Sequence, residues 1–168
     1  MQLNDVLTDA FGRIHGVVHN TVEGLNEDDL AFRPSDSANS IAWLVWHLTR
    51  IQDDHLAGAM NAEQVWTHDD WATKFKLPFD DADTGYGHSP DEVVCVRTNA
   101  DLLLGYHDAV HKQTVAYIQK LHPEDYDAIV DKHWSPPVTM AVRLVSVISD
   151  DLQHAGQAAY LQGFLKNR

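Results

Sequence analysis

Apolar residues recur every three or four positions along much of this chain, which is the spacing of an amphipathic α-helix. The first such stripe runs from Leu3 to Leu25 and predicts one long helix. A second long helix is predicted to begin after a cap at Ser40 or Asn39 and to run to about Met60.

A capping box marks the predicted start of a third long helix. Ser89 can cap it, Pro90 suits the first helical position, and Glu92 completes the box. We expect this helix to run to about Leu121, where the following His-Pro pair stops it.

A fourth long helix is predicted over 138–166. Between the long helices we expect a loop at 26–37, a short helix at 63–72, a loop at 76–88 and a turn of helix at 123–132. Since no segment alternates with a period of two over a strand length, the pattern predicts an all-α protein. Four long helices with long connections favour a four-helix bundle with crossovers, in a single domain of residues 1–168.

Composition narrows the functional classes. The net charge of −13 argues against binding to nucleic acid or to anionic membranes, both of which need clustered basic residues. No apolar run approaches the roughly 20 residues of a membrane-spanning helix. The first residues lack the features of a signal peptide, and Cys95, the single cysteine, reads as a small core residue. We therefore expect a cytoplasmic protein.

The 11 histidines are many for 168 residues and direct attention to metal binding. On three predicted helices a histidine stands four positions from a second possible ligand: His15/His19, His107/His111 and Asp150/His154. Residues four apart lie on one side of a helix. The first pair flanks an apolar stripe, so we expect it to be solvated or to have a capping role. The second lies among polar residues on a polar face, so we expect it to have a structural role without a metal.

The Asp150/His154 pair differs because His154 shares its side of the helix with apolar residues. A buried histidine needs a partner, which can be a hydrogen bond or a metal ion. His47 lies in the most apolar stretch of the chain, where a histidine alone is more often a core residue than a ligand. If it points to the same place, the site has three protein ligands and an open position, as catalytic metal sites do.

Further polar residues follow His47 on the second predicted helix. Asp53 and Asp54 are expected to be exposed charges. His55 stands roughly 12 Å along the helix axis from His47, so the two cannot bind one ion.

The sequence Ile41-Ala42-Trp43-Leu44-Val45-Trp46-His47-Leu48, with Asp150 and His154-Ala155-Gly156-Gln157 on the last helix, resembles the DinB-like superfamily. The closest branch is that of the mycothiol transferases, which are similar to the metal-binding domain of mycothiol-dependent maleylpyruvate isomerase. The loop 84–89 and the tail 157–163 share this resemblance, which covers nearly the whole chain.

The resemblance implies that His47, Asp150 and His154 bind a divalent metal, zinc or nickel. Aspartate stands where the branch commonly has glutamate and reaches one methylene less far, so Asp151 is a second choice for the acidic ligand. The resemblance also implies an up-down-down-up bundle, often dimeric, with no role in contacting DNA.

The activity that the resemblance implies is transfer of a low-molecular-weight thiol, such as mycothiol, to an electrophilic small molecule. A metal at the site favours the nucleophilic thiolate at neutral pH. From their positions, His55, Tyr86 or His88 is expected to donate a proton or to line the pocket.

Two other functions stay open at this point. A metal-dependent hydrolase would activate water at the same open position, with Asp151 or Asp54 as the general base. A non-catalytic stress-response bundle would hold a structural metal or none. Turnover with an added thiol, or hydrolysis without one, separates the first two hypotheses, and a fourth protein ligand would favour the third.

Overall fold

The computed structural model describes residues 2–166, and helices dominate that range. In chain order the elements are α1 (Leu3–Val22), α2 (Glu27–Leu30), α3 (Ile41–Met60), α4 (Val65–His68), α5 (Trp71–Phe75), α6 (Pro90–Val93), α7 (Ala100–Ile118), a 3₁₀ turn (Pro123–Asp127), β1 (Ile129–Asp131), β2 (Val138–Thr139) and α8 (Met140–Leu165). The predicted domain of 1–168 includes residues 1, 167 and 168, which lie outside the described residues.

The four long helices enclose one hydrophobic core. α3 packs against α7 and α8, and α1 packs against the same two helices. Their buried apolar faces form a continuous cluster, in which Trp46 and Leu48 of α3 are almost completely enclosed. The prediction of a mostly helical protein is confirmed, whereas the up-down-down-up order stays a prediction. Within 2–166, none of the helices combines the length and apolar character needed to span a bilayer.

Local sequence signals predicted the ends of α3 and α8 to within two residues. The Ser40 hydroxyl accepts a hydrogen bond from the Trp43 N–H at 3.1 Å, and α3 ends at Met60 as predicted. α8 begins two residues later than predicted because Thr139 is its cap. Caps act within one turn, so they can be read from the sequence alone.

The predicted third helix is wrong in its first part. The capping box of Ser89 and Glu92 forms, but α6 ends at Val93. α7 begins only after Asn99, whose side chain accepts a hydrogen bond from the Leu102 N–H at 2.9 Å. The connection between them buries Val96, so tertiary packing overrides the helical pattern here.

The absence of strands was also a wrong prediction. β1 and β2 form a small antiparallel hairpin in which Ile129 pairs with Thr139 and Asp131 pairs with Val138. Strands of three and two residues are too short to produce a period-two pattern. The hairpin places Asp131 beside Arg143 of α8, at a distance of 2.8 Å.

Two single residues differ from expectation. Asp53 is buried, not exposed, because its carboxylate accepts hydrogen bonds from the Val65 and Trp66 N–H groups at the start of α4 and from the Tyr106 hydroxyl, at 2.8–2.9 Å. Cys95 is exposed rather than in the core, and its thiol donates to the Asp91 carbonyl.

Candidate metal centre

The structure brings His47 of α3 together with Asp150 and His154 of α8. One ligand atom from each residue lies within 4.8 Å of the other two. The two imidazole rings meet edge to face, with 4.9 Å between their centroids. Close packing of α3 against α8 produces this meeting, which the sequence could only suggest.

His47 presents one nitrogen that is free to bind a ligand. Its Nδ1 lies 2.5 Å from the Thr84 carbonyl oxygen, and because a carbonyl only accepts, Nδ1 carries the hydrogen. The Nε2 lone pair of the neutral ring is therefore available. Burial lowers the pKa of His47, the Thr84 hydrogen bond raises it, and the nearby His154 lowers it, with a net decrease. The neutral, ligating form is thus favoured at neutral pH.

Asp150 and His154 of α8, the helix that packs against α3, complete the group. The Gln157 side-chain oxygen lies 3.0 Å from His154 Nδ1 and can accept its hydrogen, which leaves Nε2 facing Asp150 Oδ1 at 3.7 Å. The other oxygen of Asp150, Oδ2, is buried and has no hydrogen-bond partner among the described residues. An unpartnered buried carboxylate oxygen is unfavourable, and a cation would satisfy it.

These observations fit a divalent metal. The group offers two imidazole nitrogens and one carboxylate, a set that suits zinc and nickel. Each imidazole is oriented by a hydrogen bond at its second nitrogen, as metal-binding histidines usually are.

The loop between α5 and α6 packs closely against His47 at Gly85. Gly85 has φ +86°, and a Cβ added there would lie 2.9 Å from Trp46 Cζ3 and 3.0 Å from His47 Nδ1. Glycine is therefore required by both the backbone conformation and the space. Arg50, fully buried, donates from Nε to the Asp83 carbonyl at 3.1 Å and so holds this loop on α3.

His88 supports the site indirectly. Its Nδ1 accepts a hydrogen bond from Trp43 Nε1, and its Nε2–H donates to the Asp83 carboxylate, each at 3.1 Å. Burial raises the pKa of Asp83, but hydrogen bonds from the Gly85 N–H and His88 outweigh it and lower that pKa. Trp43 in turn stacks on His47 at 4.6 Å. With both ring nitrogens engaged, His88 positions Trp43, and its role as a proton donor or pocket residue stays a prediction.

His55 and Tyr86 occupy different environments. His55 Nδ1 accepts a hydrogen bond from Arg143 at 3.2 Å, which leaves a hydrogen on Nε2. Burial and then the Arg143 charge lower the pKa of His55, and Asp150 is near enough to oppose them. Tyr86 is 89% exposed, and its role as a proton donor or pocket residue stays a prediction.

The two acids considered as general bases lie outside the ligand group. Asp151 is fully buried, and neither of its oxygens has a hydrogen-bond partner among the described residues. Burial, and secondly Asp150, raise the pKa of Asp151 well above its usual value. Asp54 accepts a hydrogen bond from Gln64 at 2.8 Å. The carboxylate that meets both histidines is that of Asp150.

The other two histidine pairs lie beside each other, a relation that the sequence did not predict. His15 and His19, predicted to be solvated or to cap, lie half-buried at the edge of α1, and His107 is 1% exposed rather than on the predicted polar surface. Leu103 and Val110, four residues before and three after His107, are buried with it. That spacing was a signal in the sequence that His107 faces inward.

Comparison with known proteins decides the family. A family model described as mycothiol S-transferase matches residues 3–166. The chain belongs to the mycothiol S-transferase family. The resemblance recognised in the sequence is therefore confirmed.

This mycothiol S-transferase family member is also similar to a solved structure. It shares 28% identity and a TM-score of 0.92 with a conserved protein from Enterococcus faecalis known from its crystal structure. The similarity covers 100% of this chain and 99% of the other. No curated protein matches the chain.

Proposed function

We propose that this protein is a divalent-metal-dependent transferase that joins a low-molecular-weight thiol, such as mycothiol, to an electrophilic small molecule. The observation that carries the proposal is the meeting of His47, Asp150 and His154 from α3 and α8. Membership of the mycothiol S-transferase family supports thiol transfer as the class of reaction.

His47, Asp150 and His154 would hold zinc or nickel through two imidazole nitrogens and a carboxylate oxygen. When bound, the cation would supply positive charge that favours the thiolate form of the substrate thiol at neutral pH. Three protein ligands are the usual number in catalytic zinc sites, which keep a position for water or substrate.

Neighbouring residues orient the metal ligands and the electrophile. The Thr84 carbonyl and the Gln157 amide oxygen orient the two imidazoles. In the transfer the thiol proton passes to solvent, a carbon–sulfur bond forms, and the electrophile either releases a leaving group or takes up a proton from solvent. His55, whose neutral ring carries its hydrogen on Nε2, is the residue we assign to donate a hydrogen bond to the electrophile.

The proposal is tested with untagged protein, mycothiol and a generic electrophile. We expect chelation to abolish thiol consumption and zinc or nickel to restore it. His47→Ala and Asp150→Asn are expected to lower the metal content and remove the activity, while His68→Ala, which alters an exposed histidine on α4, leaves both unchanged. A fully metallated protein with no turnover, or a His47→Ala variant with wild-type metal content, would contradict the proposal.

A homodimer is a further part of the proposal. The outer face of α8 exposes large apolar side chains, among them Val145, Tyr160 and Phe164. Contiguous exposed apolar patches mark interaction surfaces, and we assign a second copy of the chain as the partner of this face of α8. Sedimentation should give a dimer for the wild type and a monomer for Tyr160→Lys; a monomeric wild type would exclude it. The cytoplasmic location stays a prediction.

A further inference from the structure

A second group of imidazoles lies between α1 and α7, which we call the α1–α7 cluster. It consists of His15 and His19 from α1 and His107, Asp108 and His111 from α7. The His15 ring centroid lies 4.4 Å from those of His19 and His111 and 5.7 Å from that of His107. The cluster shares no residue and no helix with the group on α3 and α8.

Three members of the cluster bring possible ligand atoms for one ion close together. His15 Nε2 and His19 Nε2 lie 2.7 and 2.6 Å from the same oxygen of Asp108. One ligand atom from each of these residues is within 4.8 Å of the other two. All three side chains are partly accessible, so an ion from solvent can reach them.

Hydrogen bonding alone explains only part of the cluster. The Thr49 hydroxyl donates its one hydrogen to the Val45 carbonyl, at 2.8 Å, and can therefore only accept from His107 Nδ1, at 3.1 Å. The hydrogen of neutral His107 is thus on Nδ1. Its Nε2 lone pair is buried and has no partner among the described residues.

His111 also has an unsatisfied nitrogen, since its Nδ1 is buried without a hydrogen-bond partner among residues 2–166. Protonation does not resolve it. Burial, and then the nearby His15, lower the pKa of His107 to about 3 and also lower the pKa of His111. The cluster therefore places four imidazoles around a single carboxylate, Asp108.

Imidazole nitrogens beside one carboxylate favour a divalent transition metal over an alkaline-earth ion, which prefers oxygen ligands. We propose that the α1–α7 cluster is a second metal site, in which His15, His19 and Asp108 bind a zinc, nickel or copper ion and His111 lies beside them. The ion replaces the two hydrogen bonds to Asp108 and links α1 to α7. The site stands independently of the thiol transfer proposed above.

The test is metal titration of the full-length, untagged protein with Zn²⁺ and with Ni²⁺, by calorimetry and by thermal unfolding. Each half-buried histidine of α1 can be removed with little damage to the core, so the main variant is His15→Ala/His19→Ala. We expect it to bind about one ion fewer per chain than the wild type and to lose part of the metal-induced rise in melting temperature. Asp108→Asn should reduce the affinity in the same direction.

Two further variants make the result specific. His68→Ala/His133→Ala removes two exposed histidines outside both groups and should bind as many ions as the wild type. His47→Ala/His154→Ala should retain the ion of the α1–α7 cluster, so this site can be confirmed even if thiol transfer fails. A His15→Ala/His19→Ala variant that is folded by circular dichroism and binds as many ions as the wild type, with the same thermal shift, would overturn the inference.

Discussion

Gly85 provides a sharp test of how the loop between α5 and α6 supports the metal centre. In Gly85→Ala the new Cβ would lie 2.9 Å from Trp46 Cζ3, 3.0 Å from His47 Nδ1 and 3.3 Å from Trp43 Cζ2. All three atoms belong to rigid, buried rings of α3, so the loop must move away. Such movement would break the hydrogen bond from His47 to Thr84.

Gly87 is the matched control. Its φ of +78° is close to the +86° of Gly85, but an added Cβ there meets nothing within 4 Å. The left-handed backbone costs an alanine about 1–2 kcal/mol at either position. Overpacking adds about 1–3 kcal/mol at Gly85 only. We therefore expect Gly85→Ala to be less stable than Gly87→Ala by about 1–3 kcal/mol, or about 2–12 °C in melting temperature.

Urea denaturation of chelated protein measures this difference in the free energy of unfolding. Calorimetry with Zn²⁺ gives the second readout, in which Gly85→Ala should lower the affinity at the His47 site about 10–100-fold, because the hydrogen bond that orients the ring is lost. Gly87→Ala should keep the wild-type affinity. Equal stability and equal metal affinity in the two variants would refute the idea that the loop holds His47 in place.

Three further predictions test other parts of the structure. Arg50→Lys should destabilise the protein by about 2–4 kcal/mol in urea, because lysine cannot reproduce the hydrogen bonds to the loop carbonyls. The exposed Arg97→Lys should change stability by less than about 0.5 kcal/mol, and similar effects for both would contradict this role. The low pKa of His107, about 3, means that only the unfolded chain takes up a proton as the pH falls below 6.5, so His107 makes chelated protein less stable in acid. Between pH 7 and pH 5, His107 should lower the free energy of unfolding by about 2 kcal/mol. His107→Asn should remove this contribution from the measured pH dependence of the free energy of unfolding. Cys95→Ser should retain full thiol-transfer activity, since the exposed Cys95 thiol donates to the Asp91 carbonyl and belongs to neither group of possible metal ligands; a large loss would show that Cys95 takes part.

The local sequence predicted the features that depend on neighbouring residues. Apolar periodicity and the Ser40 cap placed α3, and the spacing of Asp150 and His154 put both on one side of α8. These signals act within one or two helical turns, so no tertiary information is needed to read them. The resemblance to a family then selected His47 as the third member of the group.

Tertiary structure decided everything that depends on contacts between distant segments. Packing that no local pattern encodes sets three features: the end of α6 at Val93, the burial of Asp53 beneath α4 and the close approach of Gly85 to His47. The α1–α7 cluster shows this most clearly. His15 and His107 each look unremarkable on their own helix, and only the packing of α1 against α7 brings their rings to within 5.7 Å.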